Sequence, residues 1–205
     1  MAGAPKSTGK LDVYLEIGNK RVFAGAVDWP GWCRSGRDEG SALQALLDYG
    51  PRYARVLRST GLRFQAPTEL AAFGIAERLP GNSTTDFGAP DIPLKGDLRP
   101  VGEREIRRFE ALLGACWHAF DRAAKAAEGK ELRVGPRGGG RDLEGIVRHV
   151  LGGELSYLAR LGWKLKLGDV EPRKALATIR LESLRALAAA AQGELPEKGP
   201  RGGLR

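Results

Sequence analysis

The sequence predicts an α+β chain: a small antiparallel sheet with a helix, followed by an all-α up-down bundle of three long helices whose fourth member is missing. Three observations predict it. Two short stretches near the N-terminus alternate apolar and polar side chains, the pattern of half-buried strands. Beyond residue 101, three stretches repeat apolar residues every three or four positions, the pattern of amphipathic helices. A hinge, Gly135-Pro136-Arg137-Gly138-Gly139-Gly140-Arg141, returns as Gly199-Pro200-Arg201-Gly202-Gly203-Leu204-Arg205, each time after an Ala-rich helix end. The repeat reads as one complete helix pair plus half of another.

In chain order, residues 1–10 read as a flexible N-terminus and 11–79 as an α+β domain. Leu11 to Ile17 alternates as a strand, Gly18-Asn19-Lys20 turns, and Arg21 to Val27 returns to form a hairpin. Trp29-Pro30-Gly31-Trp32 is a turn leading to a third strand. Ser35 or Asp38 caps a helix over 41–57, with Leu43, Leu46, Leu47, Tyr53 and Leu57 at helical spacing. Pro51 inside it predicts a kink or break. Residues 62–66 and 73–79 read as further strands, with a short helix over 68–72. Residues 80–101, rich in Gly, Pro, Asn, Ser and Thr, read as a linker that Phe87 and Ile92 pin to a domain surface.

In the C-terminal half, Ile106, Phe109, Leu113, Trp117 with Cys116, Phe120 and Ala124 line a first long helix ended by Gly129. After the hinge, Asp142 begins a second. Its core face is Leu143, Ile146, Val147, Val150, Leu151, Leu155, Leu158 and Leu161, and Gly162 stops it. Trp163-Lys164-Leu165-Lys166-Leu167 reads as an irregular connection. Glu171-Pro172 opens a third helix, proline suiting the first turn, and Gly193 ends it. Residues 193–205 form a Gly/Pro/Arg-rich tail.

Bulk properties bound the function. The formal charge is +8, with an excess of two positive charges over 1–99 and of six over 100–205. A basic half permits binding of nucleic acid or another polyanion. No apolar run approaches a membrane span, and the N-terminus lacks the apolar core of a signal peptide, so a cytoplasmic address and no membrane partner are expected. Two cysteines form no disulfide framework. Cys116 reads as core. Cys33, beside Arg34, is the more reactive candidate, because a neighbouring cation lowers a thiol pKa.

Candidate sites are few. Trp29 and Trp32 flank a Pro-Gly turn and offer a ligand or partner surface, or cover the open face of the sheet. Arg137, Gly138, Gly139, Gly140 and Arg141 lead into a helix N-terminus, where backbone amides bind anions. The Lys-Ser/Thr of a P-loop is missing. Gly145, His149, Gly152, Gly153 and Ser156 fall at three- and four-residue steps, leaving room beside an imidazole, with Glu154 a further ligand candidate. His118, beside Asp121, reads as a surface residue. No Ser-His-Asp set or paired carboxylates can be assembled, so catalytic residues are not identified and enzymatic activity stays open.

Two stretches resemble known families. The two opening strands, Trp29-Pro30-Gly31-Trp32, Ser35-Gly36 and the acidic helix start Asp38-Glu39 resemble the HicB-like antitoxin domain over about residues 11–57. The resemblance implies a toxin-binding α+β domain. The family's helix-turn-helix or ribbon DNA-binding segment has no match here. Arg148-His149-Val150, Glu154, Tyr157 and Leu161 resemble the second helix of the DinB-like superfamily, over residues 102–192. That resemblance implies a four-helix bundle, a divalent metal held by three histidines, and thiol-dependent transferase or isomerase chemistry in active members. His149 matches the ligand on the second helix. The other two ligands belong to the absent last helix. The three-helix remainder leaves an apolar stripe that a second copy of the chain would cover, making a homodimer, unless the N-terminal domain covers it. The alternative to ligand or metal binding is a non-enzymatic nucleic-acid-binding or protein-interaction module.

Overall fold

The computed structural model describes residues 10–58, 60–133 and 140–195. The chain is α+β and divides into two units, Met1–Arg99 and Pro100–Arg205. Among the described residues no helix is long and apolar enough to cross a membrane.

The first unit is built on strands β1 (Leu11–Ile17), β2 (Val22–Ala26), β3 (Cys33–Gly36) and β4 (Phe73–Pro80), in the order β3-β2-β1-β4. The hairpin pairs as its alternation predicts, Val13 opposite Ala26 and Leu15 opposite Ala24. The sheet is nonetheless mixed, not antiparallel: β4 runs parallel to β1, with a register shift between Val13 and Tyr14. The segment between β3 and β4 holds a helix, and a crossover of that length is what parallel pairing requires.

That helix, α1 (Glu39–Leu57), starts where Asp38 accepts a hydrogen bond from the Ser41 amide at 2.7 Å, while Ser41 Oγ accepts from the Asp38 amide. It does not break at Pro51. A mid-helix proline costs about 3 kcal/mol, but Ala42 and Leu46 ahead of it and Tyr53 and Leu57 behind it are all buried. Burying those four offsets the lost bond. Gly50 also lacks the Cβ that the proline ring would crowd. A Cβ there would press on Ala66 at 3.3 Å and Trp32 at 3.4 Å.

Other expectations fail in this unit. Residues 62–66 pair with no strand among the described residues; they form a loop that carries Phe64 against Trp29, Trp32 and Tyr53. The expected helix over 68–72 shrinks to a single 3₁₀ turn, Leu70–Ala72. The stretch read as a linker belongs to the first unit as far as Arg99. It contains helix α2 (Ser83–Phe87) and a 3₁₀ turn at Lys95–Leu98. What holds it is a carboxylate on β1. Glu16, fully buried, accepts hydrogen bonds from Thr85 Oγ1 and from the amides of Asp91 and Ile92. The Lys95 amide donates to Glu77 on β4. Ile92 is half-buried, but Phe87 is 89% exposed and pins nothing.

Glu16→Gln turns an amide donor toward groups that themselves donate. It should loosen 82–94 at a cost of about 1–3 kcal/mol. The check is hydrogen exchange at residues 81–94, which should quicken while β2 stays protected.

The second unit holds α3 (Glu103–Ala126), α4 (Leu143–Arg160) and α5 (Pro172–Ala191). Asp142 caps α4 through the Gly145 amide at 2.7 Å, and Glu171 caps α5 ahead of Pro172. Gly129, Gly162 and Gly193 follow the three helices at φ 69°, 75° and 72°, the left-handed turn that ends a helix without steric cost. Helix α5 packs on both others and lies closest to α4. Its buried residues are Ala175, Leu176, Ile179, Ala186 and Ala189; the alanines allow the close approach. Cys116 is exposed and not core, because only Leu112, Ala115 and Ala124 of α3 are buried.

Candidate functional site

The tryptophan turn is a core feature. Trp32 is fully buried, stacks on Tyr53 at 6.0 Å, and donates from Nε1 to the Leu46 carbonyl at 2.9 Å. Trp29 packs edge-on to Phe64 at 4.9 Å. The expectation of a ligand surface at Trp29 and Trp32 is therefore corrected for Trp32, whose ring has no free face. The Cys33 expectation is corrected too. Burial pushes its thiol up more than the Tyr14 hydroxyl and the Arg34 guanidinium bring it down. Arg34 itself lies over the Tyr49 ring.

In the helical unit the densest polar cluster is centred on Arg180 of α5, whose side chain is 12% exposed. Its Nη1 donates to Asp121 of α3 at 2.8 Å, and its Nε lies 3.7 Å from Glu154 Oε1 of α4. The Trp117 and Phe120 rings stand 5.6 and 6.0 Å from the guanidinium carbon. One cation thus ties all three helices. The arrangement leaves Arg180 Nε and Nη2 and Glu154 Oε2 buried without a hydrogen-bond partner. Burial raises the Glu154 carboxyl above the usual glutamate range, more than Arg180 lowers it. Arg180 is not among the candidate residues that the sequence suggests. The signal was there: Arg180 stands four residues from both Leu176 and Leu184, a charge on an otherwise apolar stripe.

The residues expected to form a histidine pocket are not gathered into one. His149 and His118 are both exposed. Side chains added at Gly152 and Gly153 would meet nothing within 4 Å, and Ser156 is exposed. Steps of three and four from Gly145 do share a face, but it is turned away from buried Val147 and Leu158. Among the described residues no three His, Cys, Asp or Glu side chains come together to hold a metal. Of the expected anion site, Arg137, Gly138 and Gly139 lie outside the described residues. Gly140 and Arg141 are exposed, and the Asp142 carboxylate already occupies the helix N-terminus beyond them.

Two surface features remain. Large apolar side chains stand in solvent: Tyr157 on α4 at 68%, Leu181 on α5 at 51%, and Val170 at 45%. Between α4 and α5, Trp163, Leu165 and Leu167 are half-buried while Lys164 and Lys166 are exposed. Trp163 Nε1 fastens this connection to Glu182 of α5 at 2.9 Å.

Comparison of the chain with protein-family models, with curated proteins and with solved structures gives no match.

Proposed function

We propose that the chain is a binding protein that works through protein contacts: a HicB-like sheet domain joined to a DinB-like helical module that self-associates through the outer face of α4. The observation that carries this reading is the pair Gly152-Gly153 in mid-helix with open space around both. Each glycine costs a helix about 1 kcal/mol relative to alanine, and among the described residues no side chain packs on either to offset that cost. A flat, small-residue face permits close approach of a second helix. Tyr157, four residues beyond Gly153 and 68% exposed, supplies an aromatic anchor beside it.

The histidine chemistry of the DinB-like resemblance gets no support from an exposed His149. Five arginines of the helical unit, Arg107, Arg148, Arg173, Arg180 and Arg185, are each engaged by a carboxylate, which leaves the other basic residues of this half for the alternative, polyanion binding.

Light scattering on the full chain at tens of micromolar is expected to give twice the 22.1 kDa chain mass. Gly152→Glu should return it to a monomer with undiminished helicity, since glutamate is the better helix former. A monomeric parent chain, or a variant that stays dimeric, would refute the reading.

A further inference from the structure

The connection after α4 has the features of an unpaired strand. The last backbone bond of the helix end runs from the Trp163 amide to the Leu158 carbonyl. From Lys164 to Val170 no backbone group takes part in a hydrogen bond among the described residues. Side chains alternate along it: Trp163, Leu165 and Leu167 turn partly inward, Lys164 and Lys166 outward. That is the period of a β-strand with one face packed. The Trp163 bond to Glu182 holds the segment at its start. Alongside runs a largely apolar groove of about 520 Å³, lined by Leu155, Leu158, Ala159, Trp163 and Leu165 together with both lysines.

We infer that residues 163–167 are a strand-addition site for an extended segment of a partner protein in which acidic and apolar side chains alternate. Unpaired amides and carbonyls supply the ladder, and alternate side chains supply the choice of partner. The charge selects the occupant. Neither Lys164 nor Lys166 is in an ion pair among the described residues. A second copy of this chain is the wrong partner. Antiparallel pairing about Leu165 sets Lys164 opposite Lys166 of the other copy, and parallel in-register pairing sets each lysine opposite itself. Like charges directly opposite destabilise a ladder. Acidic residues at every second position reverse that sign, and the apolar residues between them face the groove. The site is separate from the outer face of α4 and holds whether the chain is a monomer or a dimer.

The test is fluorescence anisotropy of the full chain with a labelled synthetic nonapeptide alternating glutamate and valine. Saturable binding is expected, weakened about tenfold by Lys164→Glu with Lys166→Glu. The same double variant should gain binding to a lysine–valine peptide. Both lysines are exposed, so the exchange leaves the fold intact, which circular dichroism verifies. Methylating alternate amides of the peptide removes ladder donors and should abolish binding. Three results overturn the inference: no binding by the parent chain, equal binding of the methylated peptide, or equal binding of polyglutamate or of phosphatidylserine vesicles through the same lysines.

Discussion

Arg180→Met should destabilise the helical unit by about 3–5 kcal/mol at pH 7, the range for breaking a buried ion pair from one side, and by distinctly less near pH 5. The substitution keeps the volume between α3 and α4 but removes the cation that faces Glu154, whose side chain is only 16% exposed. What faces Glu154 besides Arg180 is Asp121 from α3, which raises its carboxyl, and Trp117 from α3, which lowers it slightly. Without Arg180 the carboxyl rises further. A carboxyl raised in the folded state binds its proton more tightly there than in the unfolded chain. Its contribution is therefore fully present at low pH, and is lost as pH climbs from the ordinary glutamate range through the raised folded value. The parent chain already has this slope; the variant makes it steeper. Glu154→Gln alone should flatten it, because the titrating carboxyl is gone. Arg180→Met combined with Glu154→Gln should recover most of the loss, the non-additivity of a directly coupled pair. Urea titrations read by hydrogen exchange at residues 143–160, run at pH 5 and pH 7 for all four proteins, separate this unit from the sheet. Additive losses with the same value at both pH values would show that the cluster is not coupled.

That cluster also marks where sequence reading stops. Local chemistry was legible: Asp38, Asp142 and Glu171 cap the helices they precede, and Gly129, Gly162 and Gly193 follow the helices they were expected to end. These signals act over one turn and need no partner. Which side of a helix faces inward is a different matter. Gly145, His149 and Gly152 share a face by spacing alone, but spacing does not say that the face is the solvent side. Cys116 failed for a related reason: few residues of α3 are buried, so a residue beside the stripe stays exposed. The stretch 82–94 failed because its order comes from distant partners, Glu16 above all and the Lys20 amide that donates to Asp86. Glu16, in a strand, gives no hint of the amides of Asp91 and Ile92 that it will collect. Phe64 has the β-propensity of a strand residue, but the aromatic cluster claims its side chain, its amide donates locally to the Leu62 carbonyl, and no described strand lies beside it.

Trp32→Ala should cost the sheet unit about 3–5 kcal/mol, the range for emptying a buried aromatic site. The ring is fully buried between the sheet and α1, with Phe64 at 5.0 Å and Phe73 at 5.8 Å as well as Tyr53. Its indole N–H reaches the Leu46 carbonyl, one turn ahead of Pro51, where the helix already lacks a donor. Removing Trp32 therefore empties a cavity and strips a bond from the part of α1 least able to lose one. Trp32→Phe separates the two effects. It retains most of the volume and should cost only the bond and a small void, about 1–3 kcal/mol. Trp29→Ala should cost less than Trp32→Ala, because Trp29 is only half-buried. Guanidinium unfolding read by hydrogen exchange of β2 and α1 gives the three values. A ligand-binding tryptophan predicts the reverse order, with little loss of stability at Trp32. If Trp32→Ala unfolds at the same denaturant concentration as the parent chain, the aromatic cluster is not what holds α1 on the sheet.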